Sequence, residues 1–336
     1  MRDYEPAPLW RQIVGETVWG RRGVVKTTSL WLPLAMLLST ACTPADKAIC
    51  LRSLQVFAAV ACWCLASILS NDLADRQADL AAGKERWIWH LPAGTGALVV
   101  AALGGTGISS LLPGGSTAAL AAYAAALVLG LSYSLRPVRF KSRGIWGPLV
   151  YSTSGALAFA VTPWAFFRSS WLILAVVGPA VLLDKWVNIH FHQVIDCASD
   201  RSSGIRTYAV DVGPERARRS LKWAAWAASG WLVSILVFIA ARLPPWGVAV
   251  AAAGLATVLG AGAYASIIRR QPERTSALLE ELPWPYLGLT YAVFRVAPLL
   301  LLARLAAEQR ALWALFAVAG LSLMVESLHA CRYRHA

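Results

Sequence analysis

The sequence predicts an integral membrane protein built entirely of α-helices, on three observations. Hydrophobic residues make up 57% of the 336 residues and charged residues only 15%, against about a quarter in ordinary soluble domains. The apolar residues come in runs of roughly 20, the length that a helix needs to cross a bilayer. No run alternates with the short period of a membrane β-strand. A chain this apolar suits lipid, which accepts apolar side chains on every face of a helix.

Ten apolar runs are long enough to be membrane helices, and short polar segments separate them. They lie near residues 24–42, 49–71, 91–112, 116–135, 145–167, 171–196, 219–241, 244–268, 284–306 and 311–331. We therefore expect a single transmembrane domain over residues 1–336.

The net charge of +13 would suggest a nucleic-acid partner in a soluble protein, but the basic residues here lie in the short loops between apolar runs. Alternate loops on one side carry most of the 31 Lys and Arg residues. The opposite side carries Lys47, Arg52, Arg168, Arg242, Arg304 and Arg310. Because cytoplasmic loops are the basic ones, the first side is predicted to be cytoplasmic. The alanine-, arginine- and tryptophan-rich composition is typical of a GC-rich bacterium, so we expect a multi-pass protein of the bacterial cytoplasmic membrane, surrounded by lipid and without nucleic acid.

Acidic residues are scarce, at 18 in all, so their clustering on two helix ends is informative. The second apolar run ends in a first cluster, which consists of Asn71, Asp72, Asp75 and Asp79. The sixth run ends in a second cluster, which consists of Asp196 and Asp200. Spacings of three and four residues place such side chains on one face of a helix.

Carboxylates on one helix face repel each other, so a cation is needed between them. Mg²⁺ is the natural candidate, because it binds carboxylate oxygens and leaves its other positions to water and phosphates. The two clusters are therefore predicted to face each other and to hold a diphosphate through Mg²⁺. The alternative is a set of solvated acids at helix ends.

The two clusters also indicate an internal repeat, because each one closes the second helix of a group of four. We expect one repeat at about 24–140, a second at about 145–270, and C-terminal helices at 284–331. Substrate sites in membrane proteins often lie where such repeats meet.

Three segments resemble the motifs of the UbiA-type prenyltransferase superfamily. The first cluster matches its motif N-D/Q-x-x-D-x-x-x-D. The second cluster is followed, as in the family, by Gly204, Arg206, Thr207 and Gly213. The segment 132–144, with Tyr133 and Lys141, is similar to the family's Tyr-Ser…Lys-x-x-Gly segment.

The resemblance implies a bundle of nine helices around a central cavity, to which this chain adds a tenth apolar run at its C-terminus. It also implies that Asn71, Asp72, Asp75, Asp79, Asp196 and Asp200 bind Mg²⁺. A prenyl diphosphate would ionise there to an allylic cation, and a lipophilic acceptor, usually aromatic, would capture the cation.

The sixth run carries a polar stripe, spaced four residues apart, that leads to the second cluster. Its members are Asp184, Asn188, His192, Asp196 and Asp200. Polar residues in membrane helices usually face the bundle interior. We interpret Asp184 and Asn188 as part of an acceptor pocket and His192 as a base for the proton that alkylation releases. Hydrogen bonding between helices is the alternative, and the adjacent Lys185 is expected to face a different neighbour.

Basic residues of the cytoplasmic loops are candidates for binding the diphosphate, because guanidinium and ammonium groups suit phosphate oxygens. They are Arg76, Lys84, Arg86, Lys141, Arg143, Arg201 and Arg206. Some of them serve only to set topology. Lys141 and Arg206 are favoured, since they lie within the segments that resemble the family.

Two other functions remain open at this point. The chain lacks the Arg-Pro pair that quinone-type members carry after the first motif, and it has His192 where many members have Tyr. A membrane terpene cyclase, which closes the prenyl chain on itself, is therefore one alternative. A cation or proton-coupled transporter is another, and it would require acids near the membrane midplane.

Overall fold

The computed structural model describes residues 48–81, 83, 86–92, 94–243, 246–270, 277–308 and 317. Across this part of the chain the backbone is almost wholly helical, and one isolated bridge, between Gly144 and Thr207, is its only β-type pairing. The first α-helices are α1 (Ala48–Ala74), α2 (Arg76–Ala81), α3 (Thr95–Leu111), α4 (Thr117–Ser134), α5 (Trp146–Ala156), α6 (Thr162–Phe167) and α7 (Trp171–Ile195). They are followed by α8 (Cys197–Ser202), α9 (Tyr208–Val212), α10 (Pro214–Arg242), α11 (Trp246–Ile268), α12 (Ala277–Glu281), α13 (Trp284–Tyr291) and α14 (Ala297–Glu308).

Seven described helical stretches are long and apolar enough to cross a membrane. They are Leu51–Ala74, Thr117–Ser134, Trp146–Phe167, Trp171–Ile195, Pro214–Arg242, Trp246–Ile268 and Trp284–Arg304. An eighth apolar helix, Thr95–Leu111, is shorter. The predicted all-helical membrane fold is confirmed, and the chain is a multi-pass integral membrane protein. The predicted runs 24–42 and 311–331 lie outside the described residues.

The helices bury one face against each other and expose the other to lipid. Helix α1 packs against α3 and α4, and α7 packs against α5 and α10. Val60 in α1 and Leu232 in α10 are fully buried, whereas Leu98, Val128 and Trp223 are largely exposed. Exposed apolar side chains of this kind would be unfavourable in water, but they suit a hydrocarbon environment.

Both helices that carry the acidic clusters are interrupted at the first Asp of their D-x-x-x-D pattern. Helix α1 ends before Asp75, and α7 ends before Asp196, whose ψ of 1° departs from helical values. The i→i+4 backbone bonds nevertheless continue: Asp79 N donates to Asp75 O over 2.9 Å, and Asp200 N donates to Asp196 O over 2.8 Å. The predicted four-residue spacing is therefore kept across both interruptions.

Two π-helical segments, Leu157–Val161 and Ala292–Val296, interrupt the helices formed by α5 with α6 and by α13 with α14. A π-segment inserts extra backbone into a helix and shifts its side chains relative to the preceding turn. The first of them carries Phe159, which is buried and packs edge to face against Trp63 of α1.

The contact between α3 and α4 depends on a glycine. A Cβ at Gly107 would overlap the phenol of Tyr123, lying 2.6 Å from its Cζ. The Tyr123 hydroxyl donates to the Ala59 carbonyl over 2.7 Å, which ties α4 to α1. Gly105, two residues earlier in the same helix, borders open space, and a Cβ there would meet no atom within 4 Å.

Gly107→Ala is therefore expected to destabilise the fold by about 1–3 kcal/mol, since it overpacks a buried contact. Gly105→Ala is the matched control and should be neutral or stabilising by up to about 1 kcal/mol, because Ala is the better helix former. Melting of the purified variants in detergent measures both effects. Equal melting temperatures for the two variants would contradict this packing.

Candidate functional site

Asp75, at the break after α1, lies at the centre of a group of polar side chains. Its carboxylate pairs with the Lys141 ammonium, and Arg139 Nη2 donates to Asp75 Oδ1 over 3.0 Å. Lys141 also donates to Asn71 Oδ1 over 3.2 Å, and Ser134 Oγ donates to the same oxygen over 3.0 Å. The loop after α4 thus supplies two cations to the first acidic cluster.

Lys141 is the buried member of this group, with 6% of its surface exposed. Burial lowers its pKa, since an ammonium loses hydration there, and the nearby Asp75 carboxylate opposes this shift. An ion pair in such a position is strongly destabilised when one partner is removed. Asp75 and Lys141 therefore depend on each other electrostatically.

Arg86 neutralises the other carboxylates of the first cluster. Its Nε lies 3.8 Å from Asp72 Oδ1 and 4.0 Å from Asp79 Oδ2. Asp72 is buried, and the Trp89 indole donates to its backbone carbonyl over 2.9 Å. The 3₁₀ turn Trp87–His90 thereby holds Arg86 against the end of α1.

Asp200, in the second cluster, interacts electrostatically with residues of the first. Burial raises the pKa of Asp200, and the negative charges of Asp196 and Asp75 act in the same direction, while the hydrogen bond with the Thr207 side chain and the charge of Lys141 oppose this shift. That the two clusters face each other across a shared cation stays a prediction.

A backbone contact between two loops supports this arrangement. Gly144 N donates to Arg206 O over 3.1 Å, and Gly144 forms its bridge with Thr207. Gly144 has a φ of +55°, and a Cβ there would approach the Asp211 carboxylate to 2.5 Å. The loop that carries Lys141 is therefore tied to the segment after the second cluster.

Within the described residues, no three His, Cys, Asp or Glu side chains converge closely enough to hold a metal ion by themselves. This agrees with the coordination of Mg²⁺, which usually takes one or two carboxylates and fills its other positions with water and substrate phosphates. The donor set of Asp and Asn oxygens is of the right type, and the adjacent cations suit phosphate oxygens. The residues fit a metal that arrives with a diphosphate better than one held permanently.

The remaining basic candidates lie further out. Arg76, Arg143 and Arg201 are exposed, and Arg206 is exposed and pairs with Asp211 over 3.2 Å. Arg143 donates to the Pro137 carbonyl over 3.3 Å. Lys84 lies outside the described residues.

The polar stripe of α7 has an exposed part and a buried part. His192 and Asn188 are exposed, and the Tyr151 hydroxyl donates to Asn188 Oδ1 over 3.3 Å. Asp184 is 7% exposed and accepts a 2.9 Å hydrogen bond from the Tyr286 hydroxyl. The predicted site residue Tyr133 packs its ring against that of Tyr151, with 5.6 Å between the ring centres, next to the exposed part of the stripe.

Asp184 and Lys185 face different neighbours, as expected, and they also pair with each other. Asp184 contacts Tyr286, whereas Lys185 Nζ lies 4.4 Å from the centre of the Phe159 ring and 3.4 Å from Asp184 Oδ2. The long lysine stem can bend back because the facing residue is Gly155, where a Cβ would lie 2.7 Å from Lys185 Cγ.

Sequence reasoning also missed residues that the structure brings to the site. Arg139 and Ser134 contact the first cluster directly, and Tyr286 binds Asp184 from a helix about a hundred residues away in the chain. Arg139 was detectable as a further basic residue in the Lys141 loop. No local pattern marks Tyr286, because its role depends only on how α13 packs.

The sequence matches the UbiA prenyltransferase family over residues 90–284, which is more than half of the chain. The chain belongs to the UbiA prenyltransferase family. The match includes the second acidic cluster and the Lys141 loop. No curated protein matches the sequence.

Solved structures of UbiA homologues share this fold. A homologue from Archaeoglobus fulgidus bound to GPP and Mg²⁺ is 19% identical, with a TM-score of 0.59 over 83% of this chain and 96% of that one. The same homologue bound to DMAPP and Mg²⁺ gives 18% identity, a TM-score of 0.58 and the same coverage. An apo homologue from Aeropyrum pernix K1 is 18% identical, with a TM-score of 0.58 over 84% of this chain and 98% of that one.

Asp75→Ala is expected to destabilise the protein by about 2–3 kcal/mol in metal-free buffer, because it leaves the buried Lys141 without its anion. Asp211→Ala, which breaks the exposed pair with Arg206, is the matched control and should cost less than about 1 kcal/mol. Thermal or denaturant unfolding measures both. Equal losses of stability in the two variants would contradict the dependence of Lys141 on Asp75.

Proposed function

We propose that this protein is a Mg²⁺-dependent prenyltransferase that transfers a prenyl group from a prenyl diphosphate to a lipophilic, aromatic acceptor. One observation carries the proposal: Arg86, Arg139 and Lys141 lie among the carboxylates of the first cluster, and the bridge from Gly144 to Thr207 connects the Lys141 loop to the segment after the second cluster. Carboxylates suit the metal and the cations suit the diphosphate. The homologue from Archaeoglobus fulgidus bound to GPP or DMAPP with Mg²⁺ supports the same substrate class.

The proposed site residues fall into two chemical groups, one for the metal and one for the diphosphate. Asp72, Asp75, Asp79, Asp196 and Asp200, with Asn71, would hold Mg²⁺. The Mg²⁺ ion would supply positive charge against the charge that develops on the leaving diphosphate. Lys141, Arg139 and Arg86 would bind the diphosphate oxygens directly, because guanidinium and ammonium donors form strong hydrogen bonds with phosphate. The more exposed Arg76, Arg143, Arg201 and Arg206, together with Lys84, would attract the anionic donor to this face of the membrane.

The reaction breaks the bond between the allylic carbon and the bridging oxygen, and the electron pair leaves with the diphosphate. The allylic carbon then forms a bond to a ring carbon of the acceptor, which loses a proton. His192 lies one helical turn before Asp196 on the same stripe, so we assign it as the base that takes this proton. Asn188 and Tyr133 would bind the acceptor beside it.

We infer that the active site faces the cytoplasm, since the loops on that side carry most of the basic residues. We also infer two four-helix repeats, at about 24–140 and 145–270. The matching interruptions at Asp75 and Asp196 support this division. The transporter alternative, which requires acids near the membrane midplane, is less well supported. Among the acids of the two clusters and the α7 stripe, Asp184 alone lies deep in its helix. Its carboxylate is paired with Lys185.

Turnover with prenyl diphosphates tests the proposal. Purified protein with Mg²⁺ and C10 to C20 prenyl diphosphates should release diphosphate quickly only when a lipophilic aromatic acceptor is present. Release without an acceptor, together with cyclic hydrocarbon products, would favour the terpene cyclase instead. No turnover with any donor and acceptor would refute both activities.

Asp75→Asn and Asp196→Asn should each lower kcat by about a thousandfold or more, because each removes charge from the metal and diphosphate site. Asn keeps the side-chain volume, but Asp75→Asn also removes the anion of the buried Lys141, so kcat is compared only for variants whose melting curves show a folded protein. Asp211→Asn, an exposed acid in the same region, is the control and should keep near wild-type turnover. Activity in either cluster variant would contradict the metal assignment.

Lys141→Met should raise the Kd for a prenyl diphosphate by about tenfold to a hundredfold, because it removes a charge-assisted contact of about 1.5–3 kcal/mol. Arg136→Met, an exposed cation in the same loop, should change the Kd by less than about threefold. Binding titrations with each purified variant give these values. Equal losses in the two variants would show that loop charge in general, and not Lys141, binds the donor.

A further inference from the structure

We propose that the first turns of α10, together with the end of α11, bind the headgroup of an anionic phospholipid from the surrounding membrane. We call this surface the headgroup site. It consists of Arg216, Arg219 and Lys222 of α10 and of Arg269 and Arg270, which follow α11. The proposed transfer reaction uses none of these residues, so the headgroup site is tested independently of it.

The cations of α10 lie on the face of the helix that is turned away from the bundle. Arg216, Arg219 and Lys222 follow each other at three-residue steps, and all three are exposed. Side chains three residues apart are neighbours on a helix surface. The opposite face of the same turns carries Ala217 and Leu221, which are fully buried. The first turns of α10 therefore present their positive charge outward.

The acids near this surface do not neutralise it. Glu215 and Glu281 both bind Arg218, over 3.2 Å and 2.8 Å. Within the described residues, the three cations of α10 form no ion pair with these acids or with the exposed Glu280. Like charges in neighbouring positions on a helix repel each other. An anion from another molecule would therefore be stabilising at this surface.

Helix α11 runs back alongside α10 and brings two further cations to the same end of the bundle. A Cβ at Gly254 of α11 would lie 3.1 Å from Leu236 Cδ1 of α10. When this antiparallel register is continued toward the start of α10, Arg219 comes opposite the end of α11. Arg269 and Arg270 are exposed at that end.

Helix α12 holds the two parts of the headgroup site together. Leu279 of α12 packs against Ile268 at the end of α11. Glu281 of the same helix binds Arg218 at the start of α10. The five cations thus lie on two helix ends whose relative position is fixed by packing.

An apolar stripe continues from the cations of α10 along the same face. Trp223 and Trp226 follow Arg219 at helical spacing, and they are 72% and 51% exposed. Tryptophan side chains are typical of the level where lipid headgroups meet the hydrocarbon. Further along this face, Val233 and Val237 are also exposed. The order of cations, indoles and aliphatic side chains matches the order of headgroup, interface and acyl chain in a phospholipid.

Gly230 leaves one side-chain position of this stripe open, between Trp226 and Val233. A Cβ at Gly230 would meet no atom within 4 Å. The Ser234 hydroxyl beside it donates to the Gly230 carbonyl over 3.1 Å, so this hydroxyl is satisfied without water, as a lipid-facing group must be. An acyl chain can therefore lie along the stripe.

The length of the stripe suits one lipid leaflet. From Trp223 to Val233 the helix rises by about 15 Å, which is half of the roughly 30 Å hydrocarbon core. Arg219 lies one helical turn above Trp223, at the level of the headgroup.

This combination selects an anionic phospholipid. A soluble anion would contact the cations but leave the apolar stripe unused. A phosphatidylcholine would contact the stripe, but its choline group would add positive charge beside five cations. An anionic phospholipid complements both parts.

Lipid binding to the purified, delipidated protein in detergent tests the headgroup site. Native mass spectrometry gives the Kd for phosphatidylglycerol and for phosphatidylcholine with the same acyl chains. The wild type is expected to bind phosphatidylglycerol about tenfold more tightly or more, because each basic residue near an anionic lipid surface contributes about fivefold in affinity. Arg216→Gln/Arg219→Gln/Lys222→Gln should reduce this preference to about twofold or less.

A second triple variant is the matched control. Arg76→Gln/Arg136→Gln/Arg201→Gln removes three exposed cations from other loops on the same predicted side of the membrane, and it should keep the wild-type preference. Trp223→Ala/Trp226→Ala should weaken both lipids by a similar factor and leave the preference unchanged, because the indoles contact the part that the two lipids share. Melting curves establish that each variant is folded.

Four outcomes would overturn the proposal. Equal binding of the two lipids by the wild type would show that no anionic headgroup is selected. Equal loss of preference in the two triple variants would assign the effect to net charge. Displacement of phosphatidylglycerol by inorganic phosphate would assign the cations to a soluble anion, and displacement by a prenyl diphosphate at equal concentration would assign them to the donor.

Discussion

The ion pair between Asp75 and Lys141 is the interaction on which the site depends. Lys141 is buried, so its ammonium requires a nearby anion, and Asp75 supplies one at the point where α1 is interrupted. The pair fixes the loop after α4 against the first cluster, and the bridge from Gly144 to Thr207 connects that loop to the second cluster. Loss of the pair would therefore affect the position of both clusters.

The same constraint explains how the carboxylates of the first cluster can lie at the end of a membrane helix. In a region of low dielectric constant their repulsion would be large. Arg86, Arg139 and Lys141 offset this charge in the absence of ligand. A metal-bound diphosphate brings positive charge for the carboxylates and negative charge for the cations. It can therefore bind to both kinds of side chain without leaving either kind uncompensated.

Much of this arrangement could be predicted from local sequence patterns. Run length indicated the helices, and the four-residue spacing of Asp75 with Asp79 and of Asp196 with Asp200 indicated the two clusters. These features are local, because helix periodicity fixes which residues share a face. The interruptions at Asp75 and Asp196 were not predicted, since the spacing fits a continuous helix equally well.

Features that depend on packing between distant helices could not be derived in this way. The hydrogen bond from Tyr286 to Asp184 joins α13 to α7, and the bend of Lys185 toward Asp184 depends on the absence of a side chain at Gly155. Adjacent residues on a helix ordinarily point in different directions, so the sequence predicted different neighbours for Asp184 and Lys185 but not the ion pair between them. The deep layer of the bundle thus became visible only in three dimensions.

The central claim is that both clusters together hold one metal diphosphate. Electron–nuclear double resonance of Mn²⁺, used in place of Mg²⁺ with an unreactive prenyl diphosphate analogue, tests it most directly through the coupling between Mn²⁺ and phosphorus. The account predicts a strong phosphorus coupling in the wild type that is lost in both Asp75→Asn and Asp196→Asn. A coupling that survives removal of either cluster would contradict it.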